Sequence, residues 1–179
     1  QLTEFKQDKK VLLVMGGSLG SKKLNDAIRE NLEALLHQYQ VIHLTGKGLV
    51  DDSIKKEGYV QFEFVKDDLT DLLAITDTVV SRAGSNAIYE FLTLRIPMLL
   101  IPLGLDQSRG DQIDNAKNFE SKGYGKAIPE EELTQVRLLE ELNHIETNRE
   151  DIIKQMQTYK ESYTKEDLFD KIINDALDN

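Results

Sequence analysis

Apolar positions along this chain fall into two alternating patterns, short unbroken runs and longer stretches with helical spacing. Val11-Leu12-Leu13-Val14-Met15 is apolar throughout and is closed by Gly16-Gly17, the pattern of a strand buried on both faces. Between Lys22 and His37, Leu24, Ile28, Leu32, Leu35 and Leu36 share one face of a predicted helix, with charged side chains on the other. The alternation continues with strand over Val41–Leu44, a short helix over Leu49–Lys56, strand over Tyr59–Val65 and helix over Asp68–Ile75. Strand over Thr78–Ser81, helix over Asn86–Leu94, strand over Met98–Ile101 behind Pro97, helix over Asp111–Lys122 and a weaker strand over Lys126–Ile128 complete the series. Repeated βα units impose right-handed crossovers, so the predicted class is α/β, a Rossmann-like parallel sheet with helices on both faces.

After Pro129 the pattern changes. Leu133–Asn143, Arg149–Tyr159 and Lys165–Leu177 have the spacing of amphipathic helices rich in Glu and Lys, a helical tail over 130–179 that packs on the sheet's flank. No internal repeat, low-complexity stretch or Pro/Gly/Ser linker interrupts 1–179, which is therefore expected to be one domain with residues 1–10 as a polar lead-in. The first residue is Gln1 rather than Met, which raises the expectation of a piece cut from a longer protein.

Composition narrows the function. The chain has 22 Lys+Arg against 32 Asp+Glu, a formal charge of −10, and no basic run, which argues against a surface that neutralises nucleic-acid phosphates or anionic lipid. With no Cys there is no disulfide framework, thiolate metal site or cysteine nucleophile, consistent with a reducing cytoplasm. The longest apolar stretches fall far short of the roughly 20 residues of a spanning helix. His37, His43 and His144 are the three histidines, and neither His37 nor His43 has a partner at metal-ligand spacing. The acidic groups Asp51-Asp52, Asp67-Asp68 and Glu130-Glu131-Glu132 read as helix-start charges.

In an open parallel sheet, ligands bind beyond the carboxyl ends of the strands, and four such loops carry unusual residues. Gly16-Gly17-Ser18-Leu19-Gly20-Ser21 is a glycine turn that leads into a helix and suits an anion such as phosphate. It lacks the Gly-Lys-Ser/Thr of a P-loop and the full spacing of a dinucleotide fingerprint, and Thr45-Gly46-Lys47-Gly48 lacks the acid that would hold an adenosine ribose. In Ser81-Arg82-Ala83-Gly84-Ser85-Asn86-Ala87-Ile88-Tyr89-Glu90, Ser85 or Asn86 is expected to cap a helix whose free amides form a second anion site. Glu90 lies one turn further on, about 6 Å along the axis, an offset that lets a carboxylate accept from ribose hydroxyls; on this segment alone the preferred reading is a capped helix with a solvent-facing Glu. The long polar loop from Pro102 into Asp111, Gln112 and Asn115 collects the side chains that read the hydroxyls of a neutral sugar. Phe64-Val65-Lys66-Asp67-Asp68 ends the third strand, where the main chain beside Val65 can meet a base edge, although taken alone it is ordinary helix-capping sequence.

Gly-Gly-Ser-x-Gly, then Ser-Arg-Ala-Gly with Glu six residues after that Gly, then Pro followed by Asp-Gln-x-x-Asn-Ala, together resemble the C-terminal half of the MurG family of GT-B glycosyltransferases, from Val11 to about Gly125. The resemblance implies a domain that binds UDP-N-acetylglucosamine. The whole enzyme would transfer the sugar with inversion to the 4-hydroxyl of the muramyl residue of lipid I, making lipid II for peptidoglycan, cell-wall growth and division. It implies that Gly17 and Ser18 approach the diphosphate and that Val65 meets uracil through its main chain. Ser85, Asn86 and Ala87 would hold phosphate, Glu90 the ribose, and Asp111 with Gln112 the N-acetylglucosamine and phosphate. It implies no cofactor and no metal, a catalytic base outside this chain, and acceptor and membrane contact through the family's N-terminal half, at the cytoplasmic face of the cell membrane. Isolated, such a piece would bind donor without transferring sugar. Three positions depart from the family's motifs: Ser21 replaces a usual Ala, and Ser85 and Ala87 replace Ala and Thr.

Three other readings compete. The donor-binding subunit of a dolichol-linked N-acetylglucosamine transferase, or a related glycolipid transferase, resembles the same half. Residues 16–20 also fit G-x-S-x-G, a serine-hydrolase elbow with Ser18 as nucleophile, but no earlier strand supplies an oxyanion loop and the only late His is His144. A nucleotide-binding regulatory module would bind UDP as tightly as UDP-sugar.

Overall fold

The computed structural model describes residues 5–17, 19–66 and 68–159. The predicted third tail helix, Lys165–Leu177, and the lead-in before Phe5 lie outside them. Six strands, β1 (Lys10–Met15), β2 (Tyr39–Leu44), β3 (Tyr59–Phe62), β4 (Thr78–Ser81), β5 (Met98–Leu100) and β6 (Gly125–Ala127), form one sheet in the order β3-β2-β1-β4-β5-β6. Every pairing is parallel. The helices are α1 (Lys22–Glu30), α2 (Leu32–Gln38), α3 (Leu69–Ile75), α4 (Ser85–Thr93), α5 (Asp111–Ser121), α6 (Gln135–Thr147) and α7 (Arg149–Met156), with a 3-10 turn at Glu130–Glu132.

The unbroken apolar runs are the core. Leu12, Leu13, Val14, Val41, Ile42, Val79, Val80, Met98 and Leu99 are wholly buried, as strands covered on both faces require. Burial explains where β2 begins. Tyr39 and Gln40 look like loop residues, yet Gln40 donates to the carbonyls of Lys6 (2.8 Å) and Lys9 (2.9 Å), which lets a buried amide hold the lead-in against the sheet.

Four elements differ from the pattern-based expectation. The helix over Lys22–His37 is two helices, because buried Asn31 turns its side chain back onto the carbonyl of Ala27 (2.9 Å), competing with the main-chain ladder. Leu49–Lys56 is irregular rather than helical. There the carbonyl of Leu49 accepts from Arg29 (2.6 Å), Asp51 exchanges hydrogen bonds with the Gln61 amide (2.9 and 3.2 Å), and Asp51 caps the amide of Ser53 (3.0 Å). Side chains thus take the groups that a helix would use. The third strand stops at Phe62, so Val65 stands beyond it, and the fifth stops at Leu100.

The tail packs as expected in its described part. Leu138, Leu142 and Ile145 of α6 are buried, and Glu146 ties the tail to the amino ends of the strands. It accepts from the Tyr39 hydroxyl (2.7 Å) and from Thr78 (3.2 Å), and pairs with Arg149 (2.6 Å) and Lys10. Burial alone would raise its pKa, but the hydrogen bonds from Arg149, Lys10 and Tyr39 outweigh it and hold the carboxyl at about 2. Among the described residues no helix is long and apolar enough to cross a membrane.

Candidate functional site

From β1 the chain moves outward to β2 and β3, whereas from β4 it moves outward to β5 and β6. The helices that follow β1 and β4 therefore diverge, and a crevice opens at the carboxyl ends of these two neighbouring strands. The loops predicted to carry chemistry after β1, β4 and β5 all leave the sheet at this end. A separate cavity of about 670 Å³, bordered by Lys10, Tyr39, Asn143 and Glu146, lies at the opposite, amino end of the strands.

The turn after β1 exposes Gly17, whose φ of +88° belongs to the left-handed region. Ser18 lies outside the described residues. Ser21 is the N-cap of α1: its Oγ accepts from the amide of Leu24 (3.3 Å) and its carbonyl from Asn25 (2.8 Å). The departure from Ala at this position therefore supplies a helix cap.

At the end of β4 the expected side-chain cap is absent. Gly84 is the N-cap of α4, and neither Ser85 nor Asn86 caps it; both stand exposed as the first helical residues. A glycine cap leaves the amides of Ser85, Asn86 and Ala87 with no partner among the described residues. Among the described residues nothing lies within 4 Å of where a Cβ on Gly84 would sit, which leaves the backbone open to close approach. Glu90 is exposed on the same helix, and Ala87 is half-buried against the core.

The long loop after β5 is secured at both sides. The Gln112 carbonyl oxygen accepts from the amide of Leu103 (3.0 Å), and Asn115 donates to the carbonyl of wholly buried Ala83 (3.0 Å). Gln112 thus holds the loop with one end of its amide, leaving the nitrogen end as the group it can offer. Asp111 is exposed in the first turn of α5, behind Gly110. Asn115 belongs to the scaffold, tying α5 to the end of β4. Val65 is half-buried on the core three residues past β3, at the edge of the sheet.

Sequence reasoning missed the pairing of Arg82 with Glu130. Arg82 follows β4 directly and is 8% exposed. Its guanidinium donates to the Ser21 hydroxyl (2.8 Å), the Ile101 carbonyl (3.2 Å) and Glu130 (2.6 Å). Glu130 does open a helical turn, as the first residue of the 3-10 turn, and is in addition an ion-pair partner within the site. Burial works to raise its pKa, but the hydrogen bond and charge of Arg82, with Gln107 and Ser21, hold it below the usual carboxylate value. An arginine placed immediately after an apolar, two-sided strand is the signal that could have revealed the pair.

His43 is wholly buried, with Nε2 2.8 Å from Asn25 Oδ1 and Nδ1 2.9 Å from the Tyr59 hydroxyl. Burial, with the nearby Arg29 charge, depresses its pKa to about 3, so it is a neutral structural residue. Among the described residues no group of three or more His, Cys, Asp or Glu could hold a metal ion.

Comparison with known proteins agrees with this geometry. Residues 11–172 match the model of the glycosyltransferase family 28 C-terminal domain. The chain is 85% identical over 177 residues to a UDP-N-acetylglucosamine–N-acetylmuramyl-(pentapeptide) pyrophosphoryl-undecaprenol N-acetylglucosamine transferase of Staphylococcus epidermidis. It is 75% identical over 177 residues to the protein of that name from Staphylococcus aureus. Each match covers 99% of this chain and 50% of the relative, so the chain spans about half the length of these curated relatives. Among solved structures, Acinetobacter baumannii MurG superposes with a TM-score of 0.66 at 21% identity, covering 96% of this chain and 51% of that one. The glycosyltransferase VinC, in complex with dTDP, gives 0.69 at 19% identity over 99% and 44% of the two chains. These structural likenesses show the fold, that of one half of a GT-B glycosyltransferase. The chain belongs to the glycosyltransferase family 28 C-terminal domain family.

Proposed function

We propose that this chain is the UDP-N-acetylglucosamine-binding half of the MurG-type transferase that adds N-acetylglucosamine to lipid I. The observation that carries the reading is the amino end of α4, where three amides have no partner among the described residues and Glu90 stands one turn further along the same helix. Those amides and the helix dipole favour a diphosphate, while Glu90 accepts from the ribose hydroxyls. The glycine turn at Gly17 meets the diphosphate from the β1 side, and Ser18 is assigned to the same contact from the sequence motif. Val65 presents main-chain groups to uracil, and Asp111 with the Gln112 amide reads the sugar and its phosphate. The relatives' printed name and their 75–85% identity support this donor and this acceptor.

The chemical contribution of this half follows. As the bond between the anomeric carbon and the diphosphate oxygen breaks, negative charge collects on the departing UDP. Fixed amides at the ends of α1 and α4 oppose that charge without reorganising. In this reading no resident metal or cofactor takes part, the base that deprotonates the acceptor hydroxyl belongs to the remainder of the longer protein, and that remainder supplies lipid I and membrane contact on the cytoplasmic face. Equilibrium titration of the chain with UDP-N-acetylglucosamine, alongside a lipid II assay, tests this. Donor binding without transfer is expected, and lipid II formation by this chain would contradict it.

A further inference from the structure

The Glu130 carboxylate faces two parts of the crevice at once. One oxygen accepts from Arg82 (2.6 Å) and from the Ser21 hydroxyl (3.3 Å); the other accepts from the Gln107 amide (3.0 Å). Ser21 starts α1 behind the glycine turn, whereas Gln107 lies on the exposed crest of the loop after β5, 86 positions along the chain. Arg82 holds a third segment through the carbonyl of Ile101, where that loop begins. The pair is largely withdrawn from water, with the Arg82 and Glu130 side chains 10% and 12% exposed. Charge-assisted hydrogen bonds are strong and directional in such surroundings.

The loop itself has few other supports. Gln107 and Ser108 bond to Gly104, and Gly110 to Ser108, all within the loop, while Leu105 is 74% exposed. At its ends it is held by Arg82 on the Ile101 carbonyl, Gln112 on the Leu103 amide and Asn115 on the Ala83 carbonyl, and at its crest by the Gln107–Glu130 bond.

Resting on the donor-binding reading, we propose that Arg82 and Glu130 are a positioning pair that fixes the β5–α5 loop relative to the glycine turn, with Gln107 as its latch. Sugar recognition at Asp111 and Gln112 and diphosphate recognition at the turn are thereby held in one register. Neither Arg82 nor Glu130 touches donor in this arrangement; both act through the segments they hold. Latching affects the sugar end selectively, because the nucleotide end rests on α4 and Glu90.

The test is calorimetric titration of the chain with UDP-N-acetylglucosamine and with UDP, for the unsubstituted protein, Gln107→Ala, Glu130→Ala, the double variant and Gln107→Lys. The readout is the ratio of the two affinities, which a general loss of stability does not move. Each Ala variant is expected to lower the UDP-N-acetylglucosamine preference by about tenfold, the worth of one hydrogen bond to a charged group. The double variant should lose no more than either single one, and Gln107→Lys, which places a cation on Glu130, should restore the preference. Additive losses, an unchanged ratio or a failure of Gln107→Lys to restore it would overturn the positioning role while leaving the donor reading intact. Absence of binding by the unsubstituted chain overturns both.

Discussion

Gly20 and Gly46 meet backbone to backbone. A Cβ on Gly20 would stand 2.2 Å from the Thr45 carbonyl oxygen, and one on Gly46 would stand 2.4 Å from the Gly20 Cα. Both residues also have positive φ, +73° and +95°. The glycine turn after β1 is therefore pressed against the loop after β2, and that contact sets its position over the crevice. Gly46→Ala should destabilise the fold by about 2–4 kcal/mol through overpacking and backbone strain. A thermal midpoint lowered by several degrees is the expected result, and an unshifted midpoint would show that the two loops separate freely.

Gly84 makes the opposite case. Its φ of −68° is ordinary and no described residue crowds its Cβ position, so Gly84→Ala should leave the thermal midpoint nearly unchanged. The added methyl would instead occupy the approach to the α4 amides that have no partner among the described residues. UDP affinity is expected to fall about tenfold or more, corresponding to loss of at least one charge-assisted hydrogen bond. Equal UDP binding by Gly84→Ala would mean that the diphosphate does not sit at this helix end.

How far the sequence reveals this architecture follows from which residues face each other. The unbroken runs at Val11–Met15 and Thr78–Ser81 and the helical spacing over Asp111–Lys122 are local patterns, and they announce the parallel sheet without knowledge of the fold. Leu49–Lys56 also carries a local helical pattern, but its main-chain groups are taken by Arg29 and Gln61, which are distant in sequence. Asn31 breaks a helix through a side-chain bond that the apolar spacing does not encode. At the candidate site, Glu90, Asp111 and Gln112 stand out in the sequence as polar residues on the segments that follow β4 and β5. Arg82 and Glu130 do not, because their pairing spans 48 positions and depends on the order of β4, β5 and the 3-10 turn. The hydrogen bond from Asn115 to Ala83 was hidden for the same reason.

That bond leads to a stability prediction. Asn115→Ala would leave the carbonyl of fully buried Ala83 without its donor, at a cost of about 1–3 kcal/mol. Denaturant unfolding measures it directly. A change below a few tenths of a kcal/mol would show that α5 is held to β4 by apolar contact alone.

His43 predicts an acid limb. Asn25 donates its amide nitrogen to the Thr45 carbonyl (2.9 Å), so its oxygen faces His43 as an acceptor, and neutral His43 donates from Nε2 while accepting from Tyr59 at Nδ1. The unfolded chain takes up a proton near pH 6.5, whereas the folded chain resists protonation until about pH 3. In that window the unfolded state binds more protons, so stability falls as pH falls, by roughly 3–5 kcal/mol over the whole window. His43→Gln, which can donate and accept without titrating, should flatten this slope between pH 6.5 and 3. An unchanged slope would assign the acid sensitivity to other groups. Glu146 contributes with the same sign lower down, its stabilisation being lost as pH falls below about 4.5 toward 2.

The most direct test of the donor-site assignment is a calorimetric comparison of UDP-N-acetylglucosamine, UDP-glucose and UDP binding to this chain, repeated with Glu90→Ala and Gln112→Ala. Glu90→Ala is expected to weaken all three ligands by about 1–3 kcal/mol through the shared ribose. Gln112→Ala should weaken UDP-N-acetylglucosamine selectively and bring its affinity toward that of UDP-glucose. Equal binding of all three ligands by the unsubstituted chain, or no binding at millimolar concentration, would contradict the assignment of this crevice to UDP-N-acetylglucosamine.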